Sequence, residues 1–230
     1  MDQEKSASGG LRTRRTIAIV VAVFVLVFGA FAVGRISTQQ TVTPTDTSAE
    51  AGFARDMQVH HDQAVEMSMM VRDETTDPDV RRLAYDIALG QSQGAGQLYG
   101  YLADWNLPQS SSQPPMTWMT LPPLSGAGGT HNHGGATLKE PLATMPGYAT
   151  DAQIAKLASL KGVPAEQEFL TLMIAHHRGG IEMAQYVLAR STYPPIVTFA
   201  RSLVSVQTSE ITNMQAMLAA LPRTAVPTTK

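Results

Sequence analysis

The chain has 230 residues, of which 43% are hydrophobic, with no cysteine and a formal net charge of −2 at pH 7. The lack of cysteine excludes disulfides, thiolate metal ligands and iron–sulfur clusters. Residues 1–35 hold five Lys or Arg against two acids, which leaves 12 against 17 for residues 36–230. We expect no nucleic-acid partner, because such partners bind basic surfaces.

An uncharged apolar run over residues 16–34 dominates the N-terminal region. Its length is about what a helix needs to cross the hydrocarbon core of a bilayer. Three arginines precede the run, at positions 12, 14 and 15, and only Arg35 follows it closely. The positive-inside rule therefore places the N-terminus in the cytoplasm and the rest of the chain outside.

These features predict a single-pass protein of the cell membrane with its own anchor. Residues 1–15 form the cytoplasmic tail, 16–34 the transmembrane helix and 35–51 a linker. The alternative is a cleaved signal peptide, because Ala30-Phe31-Ala32 resembles a cleavage site. In that case the protein is secreted.

The remaining chain repeats itself. An offset of 116 residues aligns 53–107 with 169–223 without a gap. Each copy breaks at a proline, Pro78 or Pro194, which stops one helix and suits the first turn of the next. Apolar residues at spacings of three and four predict two helices in each copy. Two such hairpins bury their apolar stripes by packing into a four-helix bundle, so the fold class is all-α.

The predicted bundle domain covers residues 52–222, followed by a tail. Its parts are hairpin one over 52–107, a crossover over 108–165 rich in Pro, Ser, Gly and Thr, hairpin two over 166–222, and a tail over 223–230. Within the crossover, Thr150 and Gln153 form a capping box that starts a short helix, and Gly162 ends it.

All six histidines lie in three pairs, His60-His61, His131-x-His133 and His176-His177. Helical spacing puts methionines on the same face as the first histidine of each helical pair. Thioether and imidazole donors without hard oxygen donors favour copper over other metals. The candidate metal ligands are Met57, His60, His61, Met67, Met173, His176, His177 and Met183.

A structural interpretation of the same residues remains open. A single buried methionine is more often core filler, and a single buried histidine is more often hydrogen-bonded than metal-bound. The repeat favours metal binding, because a buried imidazole without a partner costs about 1 to 3 kcal/mol in each copy. The crossover pair, His131 and His133, is either a flexible capture site or a polar loop.

The second helix of hairpin two brings Glu210 level with His176. Its carboxylate either accepts a hydrogen bond from a ligating imidazole, completes the coordination sphere, or faces water. Gly94 occupies the equivalent position of copy one, so the two halves differ in chemistry. Gln91 and Gln207 are buried polar candidates with a supporting role.

The repeated motif Met-x-x-His-His-x-x-(Ala/Gly)-x-x-Met, at positions 57–67 and 173–183, resembles the signature of the domain-of-unknown-function 305 family. Gln207-x-x-Glu210-Ile211-x-x-Met214 and Met145-Pro146-Gly147 resemble it as well. The resemblance covers residues 52–222 and implies a ferritin-like bundle, often membrane-anchored or secreted, with some relatives implicated in copper tolerance. This chain departs from the family pattern at Gly94, at Leu98 and at Gly180.

Three functions are consistent with the sequence. The leading hypothesis is a non-enzymatic extracytoplasmic protein that sequesters or delivers copper, with iron or no metal left open. The second is a ferritin-like redox metalloenzyme, which would need inward carboxylates from several helices. The third is an accessory subunit of a membrane complex, in which the His and Met residues are only core.

Overall fold

The computed structural model of the protein describes residues 16–31, 42–124 and 138–222. The chain divides into two units, Met1–Val42 and Thr43–Lys230. The crossover histidines, His131 and His133, and the tails 1–15 and 223–230 lie outside the described residues.

In the first unit, residues 16–31 form helix α1, and its apolar side chains are exposed. The described part of the chain contains no helix that is both long enough and apolar enough to span a membrane. The predicted transmembrane helix over 16–34 is therefore not supported. Residues 32–34 lie outside the described residues.

The regular secondary structure of the second unit is helical, and its described residues contain no strand, which confirms the predicted all-α class. Its elements in chain order are α2 (Ala49–Glu74), α3 (Pro78–Asp104), a 3-10 helix (Thr117–Thr120), α4 (Asp151–Ser159), α5 (Gly162–Leu188) and α6 (Pro194–Ala220).

Residue types with clear physical roles start these helices. Pro78 and Pro194 open α3 and α6, as the repeat predicts, and the Asp77 carboxylate accepts from two backbone N–H groups at the start of α3. Thr150 and Gln153 form the predicted capping box of α4.

Helix α5 starts at Gly162, four residues before the predicted start of hairpin two. Gly162 has φ +56°, which glycine tolerates, and it opens α5 instead of closing α4. The apolar pattern did not predict this first turn, because the buried acid Glu166 interrupts the pattern there. Its carboxylate accepts from the Thr75 hydroxyl at 2.5 Å and ties α5 to the turn between α2 and α3.

The four long helices form two hairpins, α2 with α3 and α5 with α6, and the hairpins join through α2 and α5. Two apolar clusters fill the interior. Met57 and Met183 belong to the first cluster, and Met67 and Met173 to the second. Helices α2 and α5 therefore run in opposite directions. The two helical histidine pairs, His60-His61 and His176-His177, lie between the clusters.

The crossover lies directly on α5 at two glycines. A methyl group at position 179 would lie 1.9 Å from the Pro146 carbonyl oxygen, and one at 147 would lie 2.3 Å from the Ala175 carbonyl oxygen. Gly147 also has φ +70°, which disfavours other residues. Two missing Cβ atoms thus let the crossover backbone reach the helix beside His176.

This close approach predicts opposite effects for one substitution at two sites. Gly179→Ala forces the crossover off α5 and lowers the free energy of unfolding by about 1 to 3 kcal/mol. Gly96→Ala, on exposed α3 with no described atom within 4 Å of the new methyl group, raises it by up to about 1 kcal/mol through helix propensity. Urea unfolding of both variants measures this, and equal effects would contradict the packing described.

Candidate metal centre

The two histidine pairs meet inside the helical unit. His60, His176 and His177 are fully buried, and His61 is 4% exposed. The imidazole rings of His60 and His176 face each other with centroids 3.7 Å apart, and His177 lies 6.3 Å from His176. The repeat therefore brings equivalent residues of the two copies into direct contact.

The hydrogen bonds of two rings fix which nitrogen stays free. His60 Nε2 lies 3.1 Å from the Pro146 carbonyl oxygen, and His177 Nε2 lies 2.7 Å from Glu210 Oε2. A carbonyl oxygen accepts only, and so does an ionised carboxylate, so Nε2–H is the donor in both rings. In the neutral rings the lone pair is consequently on Nδ1.

These Nδ1 atoms are buried and have no hydrogen-bond partner among the described residues. The same holds for His61 Nδ1 and for both ring nitrogens of His176. A buried nitrogen left in this state costs about 1 to 3 kcal/mol, so several together need a physical reason.

Burial also keeps three of the imidazoles uncharged, those of His60, His61 and His176. It lowers the pKa of His60 to about 4 and that of His61 to about 3. The pKa of His176 is well below its ordinary value for the same reason, with a further contribution from the neighbouring histidines. Neutral imidazole is the form that binds metal ions, so these rings are ready as ligands at pH 7.

Two departures from the repeat have a steric explanation. A methyl group at position 94 would lie 2.6 Å from Cδ2 of His61, so glycine makes room for that ring. A methyl group at position 180 would lie 2.6 Å from Oε1 of Gln207, so the second glycine makes room for that amide. Glu210, the equivalent of Gly94, holds His177 by a hydrogen bond instead.

The methionine ligands predicted from the sequence are placed in pairs. Met57 with Met183, and Met67 with Met173, lie in separate apolar clusters on either side of the histidines. All four side chains are fully buried. In the described ranges, no three His, Cys, Asp or Glu side chains come together so as to hold a metal ion. A metal bound here would need thioether as well as imidazole ligands.

Sequence reasoning gave no role to Pro146 and Tyr148. The Pro146 carbonyl bonds His60, and the Tyr148 ring lies 6.3 Å from His60 and 6.5 Å from His176. The Met145-Pro146-Gly147 motif was the available signal, but a main-chain carbonyl carries no residue-type signature. Gln91 and Gln207 are buried, as predicted, and line a cleft beside His61.

Over its described residues the protein is a helical, strand-free fold with a buried imidazole cluster. The chain belongs to the family of a domain of unknown function, DUF305, whose family model matches residues 50–218. No curated protein matches the chain.

Solved structures share the fold. A DUF305 protein from Streptomyces coelicolor, named a candidate secreted protein, is 46% identical with a TM-score of 0.65, and the match covers 79% of this chain and 100% of that one. A DUF305 fragment from Deinococcus radiodurans is 29% identical with a TM-score of 0.59, covering 75% and 97%. CopM in its Cu(I)-bound form is 19% identical with a TM-score of 0.51, covering 75% and 96%. At that identity, CopM shows a shared fold alone.

The buried histidines predict that acid destabilises the metal-free chain. Above pH 6.5 the His60 ring is neutral in both the folded and the unfolded chain. Below it, the unfolded histidines take up protons, whereas folded His60 stays neutral down to about pH 4. The free energy of unfolding therefore falls by about 3 kcal/mol between pH 6.5 and 4 because of His60 alone.

Urea unfolding at stepped pH values measures this loss. His60→Asn removes one titrating ring, so its stability should fall less steeply between pH 6.5 and 5, where few carboxylates titrate. A slope identical to that of the wild type would show that the folded His60 ring already carries a proton.

Proposed function

We propose that the chain is an extracytoplasmic copper-binding protein that sequesters the ion or passes it on, and that it is not an enzyme. The observation that carries this proposal is the orientation of His60 and His177. Each donates from Nε2 to an oxygen and leaves Nδ1 without a partner in the described part of the chain. Ligating histidines in metalloproteins have this arrangement, with the second ring N–H held by a carbonyl or carboxylate.

The donor set fits copper. Imidazole nitrogens lie between two pairs of buried thioethers, and soft sulfur with borderline nitrogen suits Cu(I), while imidazole alone suits Cu(II). The ion is cargo in this proposal. Its nitrogen ligands would come from Nδ1 of His60, His61 and His177 and either nitrogen of His176, which are buried without a partner among the described residues. The copper-bound forms of CopM, which share the fold, are consistent with this choice.

The proposed location rests on the N-terminal sequence. Basic residues before the apolar segment 16–34 would direct the bundle outside the cytoplasm, where no reducing thiol pool competes for copper. The segment then either remains as the anchor or is removed. We also propose that the four-helix bundle is of the ferritin-like type.

The histidines are tested by replacing the facing pair. The double variant His60→Asn/His176→Asn should lose at least one copper equivalent, measured by competition with a coloured Cu(I) chelator. Copper should also raise the melting temperature of the wild type, because a ligand specific to the folded state stabilises it. Unchanged copper stoichiometry in the double variant would refute the assignment.

The thioethers are tested by a volume-conserving change. Met67→Leu/Met173→Leu should weaken Cu(I) binding more than Cu(II) binding, because sulfur is the softer donor. Met214→Leu is the matched control, since Met214 is fully buried in the same apolar cluster but is not a candidate ligand. Equal Cu(I) affinity in the double variant and the control would remove these methionines from the site.

The carboxylate of Glu210 is tested as a positioning group. Glu210→Ala releases the His177 ring and should reduce copper affinity by about 10- to 100-fold, as loss of such outer hydrogen-bond partners usually does. Glu182→Ala, on α5, removes a carboxylate for which the structure shows no hydrogen bond to the described histidines. Should both variants bind copper alike, Glu210 has no part in orienting His177.

A further inference from the structure

Helices α3 and α6 are separated by a cleft of about 360 Å³ that reaches the histidine cluster. Its wall includes His61, the one partly exposed member of the two described pairs, and Glu210, which holds His177. The side chain of Glu210 is 25% exposed, so the cleft is open to solvent at the carboxylate that holds His177.

The cleft contains buried polar groups that the fold does not use. Gln91 is 6% exposed and Gln207 is 2% exposed, and both line the cleft. Oε1 of Gln91 and both amide atoms of Gln207 lack a hydrogen-bond partner among the residues that the structure describes. Two amides that are buried without partners point to a ligand that passes or rests beside them.

The charge of the lining suits a cation. One carboxylate and four amide groups line the cleft, and none of its described lining residues is Lys or Arg. Gly90 and Gly94 keep the α3 wall low, and a side chain at position 94 would collide with His61. The low part of the α3 wall therefore lies where His61 is partly exposed.

The geometry points to this cleft as the entrance through which the metal ion reaches the buried histidines, with the Gln91 and Gln207 amides and His61 as the first groups that it meets. This inference rests on the proposed copper function and adds the route of uptake and release. The ion enters between α3 and α6 and passes His61 on its way to the inner rings.

The rival route is a second cleft on the crossover side, of about 520 Å³, which Val59, Met145 and Tyr148 help to line. Tyr148 lies near both facing histidines, so this cleft also approaches the cluster. It contains no described histidine, and its lining is mainly proline, methionine and aliphatic residues.

Plugging each cleft separates the two routes. Gly90 is exposed, lines the first cleft and has no described atom within 4 Å of a built Cβ, so Gly90→Trp places an indole at the cleft with room for its Cβ. Gly96→Trp is the matched control, because Gly96 is equally exposed and open on the same helix but does not line the cleft. Ser202→Trp plugs the cleft from α6, and Val59→Trp plugs the rival cleft.

The rate at which Cu(I) leaves the loaded full chain for excess bicinchoninate is read from the colour of the chelator. Gly90→Trp and Ser202→Trp should slow this release by about tenfold, because the plug must move before the ion can pass. Uptake slows equally, so the dissociation constant stays at the wild-type value. Gly96→Trp and Val59→Trp should release copper at the wild-type rate.

Wild-type release from both plugged variants of the first cleft, or slowed release from Val59→Trp instead, would overturn this route while leaving copper binding intact. A wild-type chain that retains no Cu(I) would overturn the proposed function, and the route with it.

Discussion

The contact between the His60 and His176 rings is the constraint on which the rest of the structure depends. Two neutral imidazoles, with ring centroids 3.7 Å apart, lie in an interior filled mainly by apolar side chains. Both rings are fully buried, and most of their nitrogens have no partner within the described ranges. Packing alone would favour apolar residues here, because each unsatisfied buried nitrogen opposes folding.

Several features of the chain compensate for this cost and hold the rings in place. Gly147 and Gly179 bring the Pro146 carbonyl to His60, Gly94 admits the ring of His61, and Glu210 holds His177. Each feature positions one ring, and the Nδ1 atom of that ring has no hydrogen-bond partner among the described residues. The duplicated hairpins thus build one centre with two different sides, a hydrogen-bonded side at Glu210 and an open side at Gly94.

The sequence was sufficient for the framework because its signals were strong and repeated. The prolines at 78 and 194 fixed two helix starts, and the 116-residue offset correctly implied that the copies share one interior. Glu210 was expected level with His176, and one helical position separates that residue from its actual partner, His177. Membrane spanning by residues 16–34 is not supported by the described part of that segment. The roles of His131 and His133 stay untested predictions, because both residues lie outside the described residues.

Other features depend on contacts that residue types do not reveal. The Pro146 carbonyl is a main-chain group, so no residue type in the sequence indicates its hydrogen bond to His60. A glutamate is usually a surface residue, and only the contact with the Thr75 hydroxyl in the turn between α2 and α3 explains why Glu166 is buried. The methionines were expected around the histidines, whereas antiparallel packing of α2 and α5 sorts them into Met57 with Met183 and Met67 with Met173.

The most direct measurement is a crystal structure of the Cu(I)-loaded chain, with the metal located by its anomalous scattering at the copper edge. Our account places an anomalous peak inside the bundle, bonded to a ring nitrogen of His60 or His176. Copper found only on the outer surface, with the facing imidazoles unchanged and unbound, would contradict it.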